Sequence, residues 1–309
     1  MQGSEWSLII FTTVMQMAVG TFVILGGVHF FAARRYNEQA ADLLSDRALL
    51  AIGPVVALSL LVTLTHLGNP VNAPRALTNF GSSWLSREIV LSLAFSVGGA
   101  IFAFMQWRKI STSGARNAIA LSVAAIGLVL VYAMAEIYSS LVTVPAWNTL
   151  ATPVSFYLTT FLLGTLAIGA AYVATYWYLR RRETLAEHNV QFDILATTLR
   201  WMALLSIALL GIQFVAIPLY LAELATDASI AADESISIIL NDNAILFALR
   251  LVLLFLGAGI FAVFVYINAT SESKTRIAWA LAYAAFATVL FSEIIGRFLF
   301  YESMARIGL

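Results

Sequence analysis

Eight long apolar runs separated by short polar connections leave this chain of 309 residues few ways to fold. Each run holds on the order of 20 residues or more, mainly Leu, Ala, Ile, Val and Phe. About 20 such residues in a helix, rising roughly 1.5 Å each, cross a hydrocarbon core of roughly 30 Å. The strands of a membrane β-barrel would instead be short and alternating. The chain is 61% hydrophobic and only 11% charged, which excludes a soluble globule of ordinary composition. The expectation is an all-α integral membrane bundle with transmembrane helices at about 6–33, 48–66, 84–107, 116–140, 153–179, 197–224, 244–268 and 276–303. With no intervening soluble segment and no internal repeat, residues 1–309 are expected to form one transmembrane domain. MQGSEWSLII at the start carries an acid and no basic region, so a retained first helix is expected rather than a cleaved signal peptide.

Orientation follows from the basic residues. The first, third, fifth and seventh connections hold Arg34, Arg35 and Arg47; Arg108, Lys109 and Arg116; Arg180, Arg181, Arg182 and Arg200; and Lys274 and Arg276, twelve of the seventeen Lys and Arg. The termini and the even connections hold only Arg75 and Arg306. The odd connections are therefore expected in the cytoplasm and both termini outside it.

That orientation places the ionisable residues of the spans by depth. His66, Glu136, Glu223, Glu293 and Arg297 fall toward the outer ends of helices running outward, and Arg87, Glu88 and Arg250 near the outer beginnings of helices running inward. Charge within a span is costly unless paired, solvated or used, and here it collects in one layer. The densest part is THLGNPVNAPRALTNFGSSWLSREI, residues 65–89, with His66, Arg75, Arg87 and Glu88. Two readings stand: a site, or a wet interfacial loop with arginines reaching to headgroups. His66 favours the first, because an imidazole titrating near neutrality is suited to exchanging protons with a ligand. Glu293 and Arg297 are spaced i, i+4 on one helix face, where they can pair. The uncharged fourth connection, SSLVTVPAWNTLATP, offers Trp147 as a cap over a ligand, a docking point or an interfacial anchor. The acidic sixth connection reads as solvated surface.

The absence of cysteine excludes disulfides and any iron–sulfur cluster held by this chain. His29 and His66 differ in depth by on the order of 20 Å at about 1.5 Å per residue, so they cannot share one haem iron, and His188 lies in a connection. Neither haem nor another metal is expected. Membrane lipid is an expected partner; nucleic acid is not.

Four stretches then resemble the membrane anchor subunit of the DMSO reductase type of molybdopterin oxidoreductase complexes: EWSLIIFTTVMQMAVG, HLGNP with SSWLSREI, IYSSLVTVPAWNT and EIIGRFLFY. The resemblance implies a bundle of eight helices that binds menaquinol. Its electrons would pass to a four-cluster ferredoxin-like iron–sulfur subunit and on to a molybdopterin catalytic subunit that reduces a terminal acceptor such as DMSO. It further implies anaerobic respiration at a prokaryotic cytoplasmic membrane, with the partners on the extracytoplasmic face. His66 and Glu88 match the positions tied to quinol binding, whereas Asn72 and Pro74 depart from the family pattern. The expected pocket comprises His66, Arg87, Glu88, Glu136, Trp147, Glu293 and Arg297, with His66 and Glu88 as the reacting pair between the second, third and fourth helices. The competing classes are a transporter with an outward-facing polar site and a passive anchor without quinol chemistry of its own. Transporters commonly show inverted repeats and paired breaks, which this sequence lacks.

Overall fold

Hydrocarbon offers a peptide group no hydrogen-bond partner, and a helix satisfies its backbone within itself. The computed structural model describes residues 3–66, 79–181, 188–270 and 275–308, and among these it contains helices and turns but no strand. The side chains of residues 60–66, including His66, and of His188 lie outside that description, as do Arg75, Arg182 and Lys274. The helices are α1 Gly3–Arg35, α2 Glu38–His66, α3 Trp84–Arg108, α4 Ser113–Ser139, α5 Ala151–Arg181, α6 His188–Thr226, α7 Ile230–Ser237, α8 Ala244–Leu254, α9 Ala262–Asn268 and α10 Thr275–Glu302. Wider π-helical turns follow α7, at Ile238–Asp242, and join α8 to α9, at Phe255–Phe261.

Among the described residues, seven helical segments are long and apolar enough to cross a membrane: α1, α3, α4, α5, α6, the α8–α9 rod and α10. The second expected span, within α2, is not among them. Several helices run further than their apolar runs. α2 begins at Glu38 and α6 at His188 rather than near 48 and 197, because an apolar run measures hydrocarbon whereas a helix continues wherever its polar groups find partners. Outward faces are greasy, with Leu121, Val215, Val252 and Phe291 all exposed. Polar side chains such as Gln16, Thr160, Gln213 and Ser292 turn inward. This inversion of the usual soluble pattern suits a lipid surround.

Contacts between successive helices establish the up-and-down arrangement. At one end, Asp42 Oδ1 accepts from His29 Nε2 at 2.9 Å and from Gln106 Nε2 at 2.9 Å. Lys109 Nζ donates to Asp42 Oδ2 at 2.7 Å and to Asp46 Oδ2 at 2.8 Å. Arg116 Nε donates to Gln106 Oε1 at 2.8 Å. These contacts tie α1, α2, α3 and α4 together at their basic ends. At the opposite end, Tyr220 donates to the Ala146 carbonyl at 3.1 Å and the Ile307 N–H to that of Thr143 at 2.9 Å. The acidic sixth connection, expected as solvated surface, instead contains α7. Ser229 caps it by accepting from the Ala232 N–H at 3.2 Å, it buries Ala231, Ala232 and Ser235, and Ser235 Oγ donates to the Ser303 carbonyl at 2.8 Å. Three small side chains on one face were too faint a pattern beside the four acids.

α1 sits against α2, α4, α5 and α10, and its crossing with α5 is set by glycine. A Cβ at Gly20 would stand 1.8 Å from the Thr160 carbonyl oxygen, and one at Gly164 would stand 2.3 Å from the Gly20 carbonyl carbon. Small residues allow such close backbone approach in membrane bundles.

Gly20→Ala is accordingly expected to abolish recovery of monodisperse protein in detergent. Gly26→Ala, where the new Cβ meets nothing within 4 Å, should leave recovery unchanged in size-exclusion chromatography. The basic end yields a pH dependence. Burial opposes ionisation of Asp42, but the hydrogen bonds and charges of His29 and Lys109 outweigh it and hold the carboxyl below its ordinary value of 3.8. Burial likewise opposes the Lys109 charge, while Asp42 and Asp46 raise it above its ordinary 10.5. A depressed carboxyl stabilises the fold above its unfolded value and loses that effect as pH falls through its folded one; a raised ammonium does so below its unfolded value and loses it as pH rises. Melting temperature should therefore hold level on this account between those limits. Asp42→Asn should lower it by several degrees at pH 7 and by less near pH 3, as read by thermal unfolding in detergent.

Candidate functional site

At the end of the bundle away from the basic network, the ionisable residues expected to form a pocket lie along a buried seam. Ser83 caps α3 by accepting from the Ser86 N–H at 3.3 Å. The helix starting there turns Ser86, Glu88, Ser92 and Phe95 inward. Glu88 is only 7% exposed, and no hydrogen bond or ion pair reaches its carboxylate among the described residues. It lies within electrostatic reach of the hydroxyls of Tyr138 on α4 and Tyr301 on α10. Those hydroxyls are 2.9 Å apart, and both interact electrostatically with Arg297.

The neighbouring Arg87 takes no part in this seam. Its Nε donates to the Phe80 carbonyl at 3.0 Å, its Nη2 to that of Gly81 at 2.8 Å, and its guanidinium lies 4.0 Å from the Trp84 ring centroid. It therefore fixes the connection entering α3 rather than Glu88, which points a different way from the next position on the helix. Glu136, half-buried on α4, bonds the Tyr132 hydroxyl, and the Tyr132 ring stands edge-on to Trp84 with centroids 5.8 Å apart. His66 closes α2, its side chain outside the described residues.

Trp147 is neither an exposed cap nor an interfacial anchor. It is buried, donates from Nε1 to the Phe300 carbonyl at 2.7 Å, stacks on Phe300 with centroids 5.4 Å apart, and meets Tyr138 edge-on at 5.2 Å. Thr152 Oγ1 donates to the Trp147 carbonyl at 2.8 Å, and Asn148 Nδ2 donates back to the Ser139 carbonyl. The uncharged connection is folded into the bundle as an aromatic plug because these polar groups have partners there.

Glu293 and Arg297, expected to pair, share one face of α10 but form no ion pair within 4.0 Å. Glu293 Oε2 accepts from Thr159 Oγ1 at 2.6 Å, and Oε1 accepts from Gln213 Nε2 at 3.0 Å. Arg297 Nη2 donates to Gln16 Oε1 at 2.8 Å while its guanidinium carbon lies 3.8 Å from the Phe156 ring centroid. Helices outside their own took both partners away. These two residues line a cavity of ≈ 100 Å³ between α5, α6, α8 and α10, together with Arg250, Gln213, Tyr220 and a mostly apolar remainder. Neither Glu88 nor Trp147 lines it.

The structure thus joins Glu88 to Arg297 through the Tyr138–Tyr301 pair and leaves Arg87 and Trp147 in other roles. Sequence reasoning missed the two tyrosines and Gln213. The readable signal was a glutamine in the middle of a greasy run, since a polar amide in a span needs a partner inside the bundle. Chemically, the seam can pass protons between hydroxyls and carboxylates, and the cavity can receive a small polar group.

Known proteins place this arrangement. The sequence model of the DMSO reductase anchor subunit (DmsC) matches residues 1–302. A chain of the anaerobic dimethyl sulfoxide reductase of Escherichia coli is 30% identical over 163 residues, 52% of this chain and 55% of that one. The chain of the same name from Haemophilus influenzae is 28% identical over 161 residues, 52% and 56% of the two. A sulfite dehydrogenase subunit of Allochromatium vinosum is 33% identical over 105 residues, 31% of each chain. The alignments with the two reductase chains span about half of their length. The family match covers nearly all of the helices described above, and this multi-pass membrane chain belongs to the DMSO reductase anchor subunit family.

Proposed function

We propose that the chain anchors a respiratory oxidoreductase complex in the prokaryotic cytoplasmic membrane and oxidises menaquinol at its extracytoplasmic rim. In this reading it spans the membrane eight times, with α2 as the second span and both termini outside. The basic network around Asp42 then faces the cytoplasm, in keeping with the charge bias of the connections. The partners are an iron–sulfur subunit and a molybdopterin catalytic subunit, as the names of the reductase relatives favour.

The observation that carries this reading is Glu88. A carboxyl group buried in an apolar bundle and lacking any partner among the described residues is costly to keep for structure alone. It follows, across one connection, the helix that ends in His66. A quinol head group entering from the lipid loses two protons and two electrons to become quinone. His66 accepts the proton of one hydroxyl. Glu88 takes the second and returns it to water at the rim, with the Tyr138 and Tyr301 hydroxyls as neighbours that can share it. The electrons leave one at a time to a cluster in the iron–sulfur partner. Glu293 and Arg297, beyond the tyrosine pair, belong to the seam and not to the reacting pair. The same imidazole and carboxylate serve a quinone taking up hydrogen, which suits a relative named as a sulfite dehydrogenase subunit.

With the assembled complex in native membranes, His66→Ala is expected to slow menaquinol oxidation by about 10²-fold, the usual scale of one general base, while the partner subunits stay attached. Glu88→Gln should slow it by roughly tenfold or more and flatten its pH dependence. Parental rates in both variants, with assembly intact, would make the chain a passive anchor.

A further inference from the structure

The cavity between α5, α6, α8 and α10 contains more positive charge than the protein balances. Two guanidinium groups, Arg250 and Arg297, face one carboxylate, Glu293. That carboxylate already takes hydrogen bonds from Thr159 and Gln213, and neither arginine comes within 4.0 Å of an acid among the described residues. Arg297 has found other partners in Gln16 and the face of Phe156. Arg250 has not: its Nε is buried with no hydrogen-bond partner. α10 makes room for it with a glycine, since a Cβ at Gly296 would stand 2.5 Å from that Nε. A cation held at a fixed place inside a span needs an anion there.

A second unpaired atom defines the ligand further. Gln213 turns its NH₂ to Glu293, which leaves Oε1 as the amide's free acceptor, and this oxygen is buried without a partner. The cavity thus lacks an acceptor for Arg250 and a donor for Gln213. The start of α5, Ala151 and Thr152, also lines it and adds the partial positive charge of a helix N-terminus. The two helices bounding it on the outside, α6 and α8, present apolar Val215, Leu219 and Ile245 outward.

We propose that this cavity holds the head group of an anionic membrane lipid, its phosphate on Arg250 and a head-group hydroxyl on Gln213 Oε1, with the acyl chains lying along α6 and α8. Guanidinium matches phosphate geometry and is lightly hydrated, and the cavity is large enough for a head group but not for a whole lipid. This site is separate from the reacting pair at His66 and Glu88 and does not depend on quinol chemistry.

The test uses the full chain in nanodiscs of phosphatidylglycerol, which has both phosphate and free hydroxyls, or of phosphatidylcholine. The wild type is expected to melt several degrees higher in phosphatidylglycerol. Native mass spectrometry from detergent should show a retained phosphatidylglycerol adduct. Arg250→Gln should lose the adduct at least tenfold along with the melting difference; Arg250→Lys should keep part of both. Inorganic phosphate added to phosphatidylcholine discs separates the sources: no effect supports a lipid, and full recovery of the melting difference overturns it in favour of free phosphate. Equal melting of the wild type in the two lipids, or the same adduct in Arg250→Gln, overturns the proposal without bearing on quinol oxidation.

Discussion

The structure depends on the fact that hydrocarbon cannot satisfy a polar group. Every Thr, Ser, Gln, Glu or Arg within a span must find a partner inside the bundle, so polar side chains do the work of orienting helices that apolar surface does in water. Gln16 on α1 and Arg297 on α10 bond across the bundle; Thr159 on α5, Gln213 on α6 and Glu293 on α10 join three helices at one carboxylate. Apolar residues contribute close packing rather than direction, because lipid tails are as apolar as they are. The crossing of Gly20 with Gly164 shows the other half of that rule, with backbone against backbone where no side chain intervenes.

Under the same constraint, the two ends of the bundle differ in kind. At the basic end, Asp42, Asp46, Gln106, Lys109 and Arg116 satisfy one another in a closed network. Such a network holds α2 to α3 and α4, and its polar atoms have no capacity left for a ligand. At the opposite end the polar groups are only partly matched. Glu88 has no partner among the described residues, and Arg250 Nε and Gln213 Oε1 each lack one. Unmatched groups cost stability, so their concentration at one end marks where the bundle deals with something other than itself.

Much of this was legible in the sequence. The apolar runs located the helices, and 244–268 agrees at both ends with the α8–α9 rod. The collection of ionisable residues at one end also followed from counting positions along antiparallel helices. What could not be read were choices among partners. Glu293 and Arg297 have ideal spacing for a pair, yet residues from α1, α5 and α6 compete for each, and a one-dimensional pattern contains no information on which helix stands opposite. Trp147 looked like a surface residue because its connection is short and uncharged; it is buried because the Phe300 carbonyl and ring give its indole both a hydrogen bond and a stacking face. The extension of α2 back to Glu38 was hidden because Glu38, Asp42 and Asp46 read as a polar connection until their partners on α1, α3 and α4 are known.

The tyrosine pair explains how two unmatched regions coexist in one small bundle. Glu88 and the Arg250 cavity lie on opposite sides of Tyr138, Tyr301, Trp147 and Phe300, whose rings pack edge-on and stacked into a single wall. The wall is apolar in bulk, so it keeps the two regions from sharing water, while the hydroxyl contact of 2.9 Å between the tyrosines leaves one polar thread through it. A ligand on either side therefore meets a defined, dry surface. A shift in the Arg297 guanidinium, which packs on Phe156 beside Phe300, would reach Glu88 through those two hydroxyls. The bundle thus has the physical means to couple its cavity to its buried acid without moving a helix.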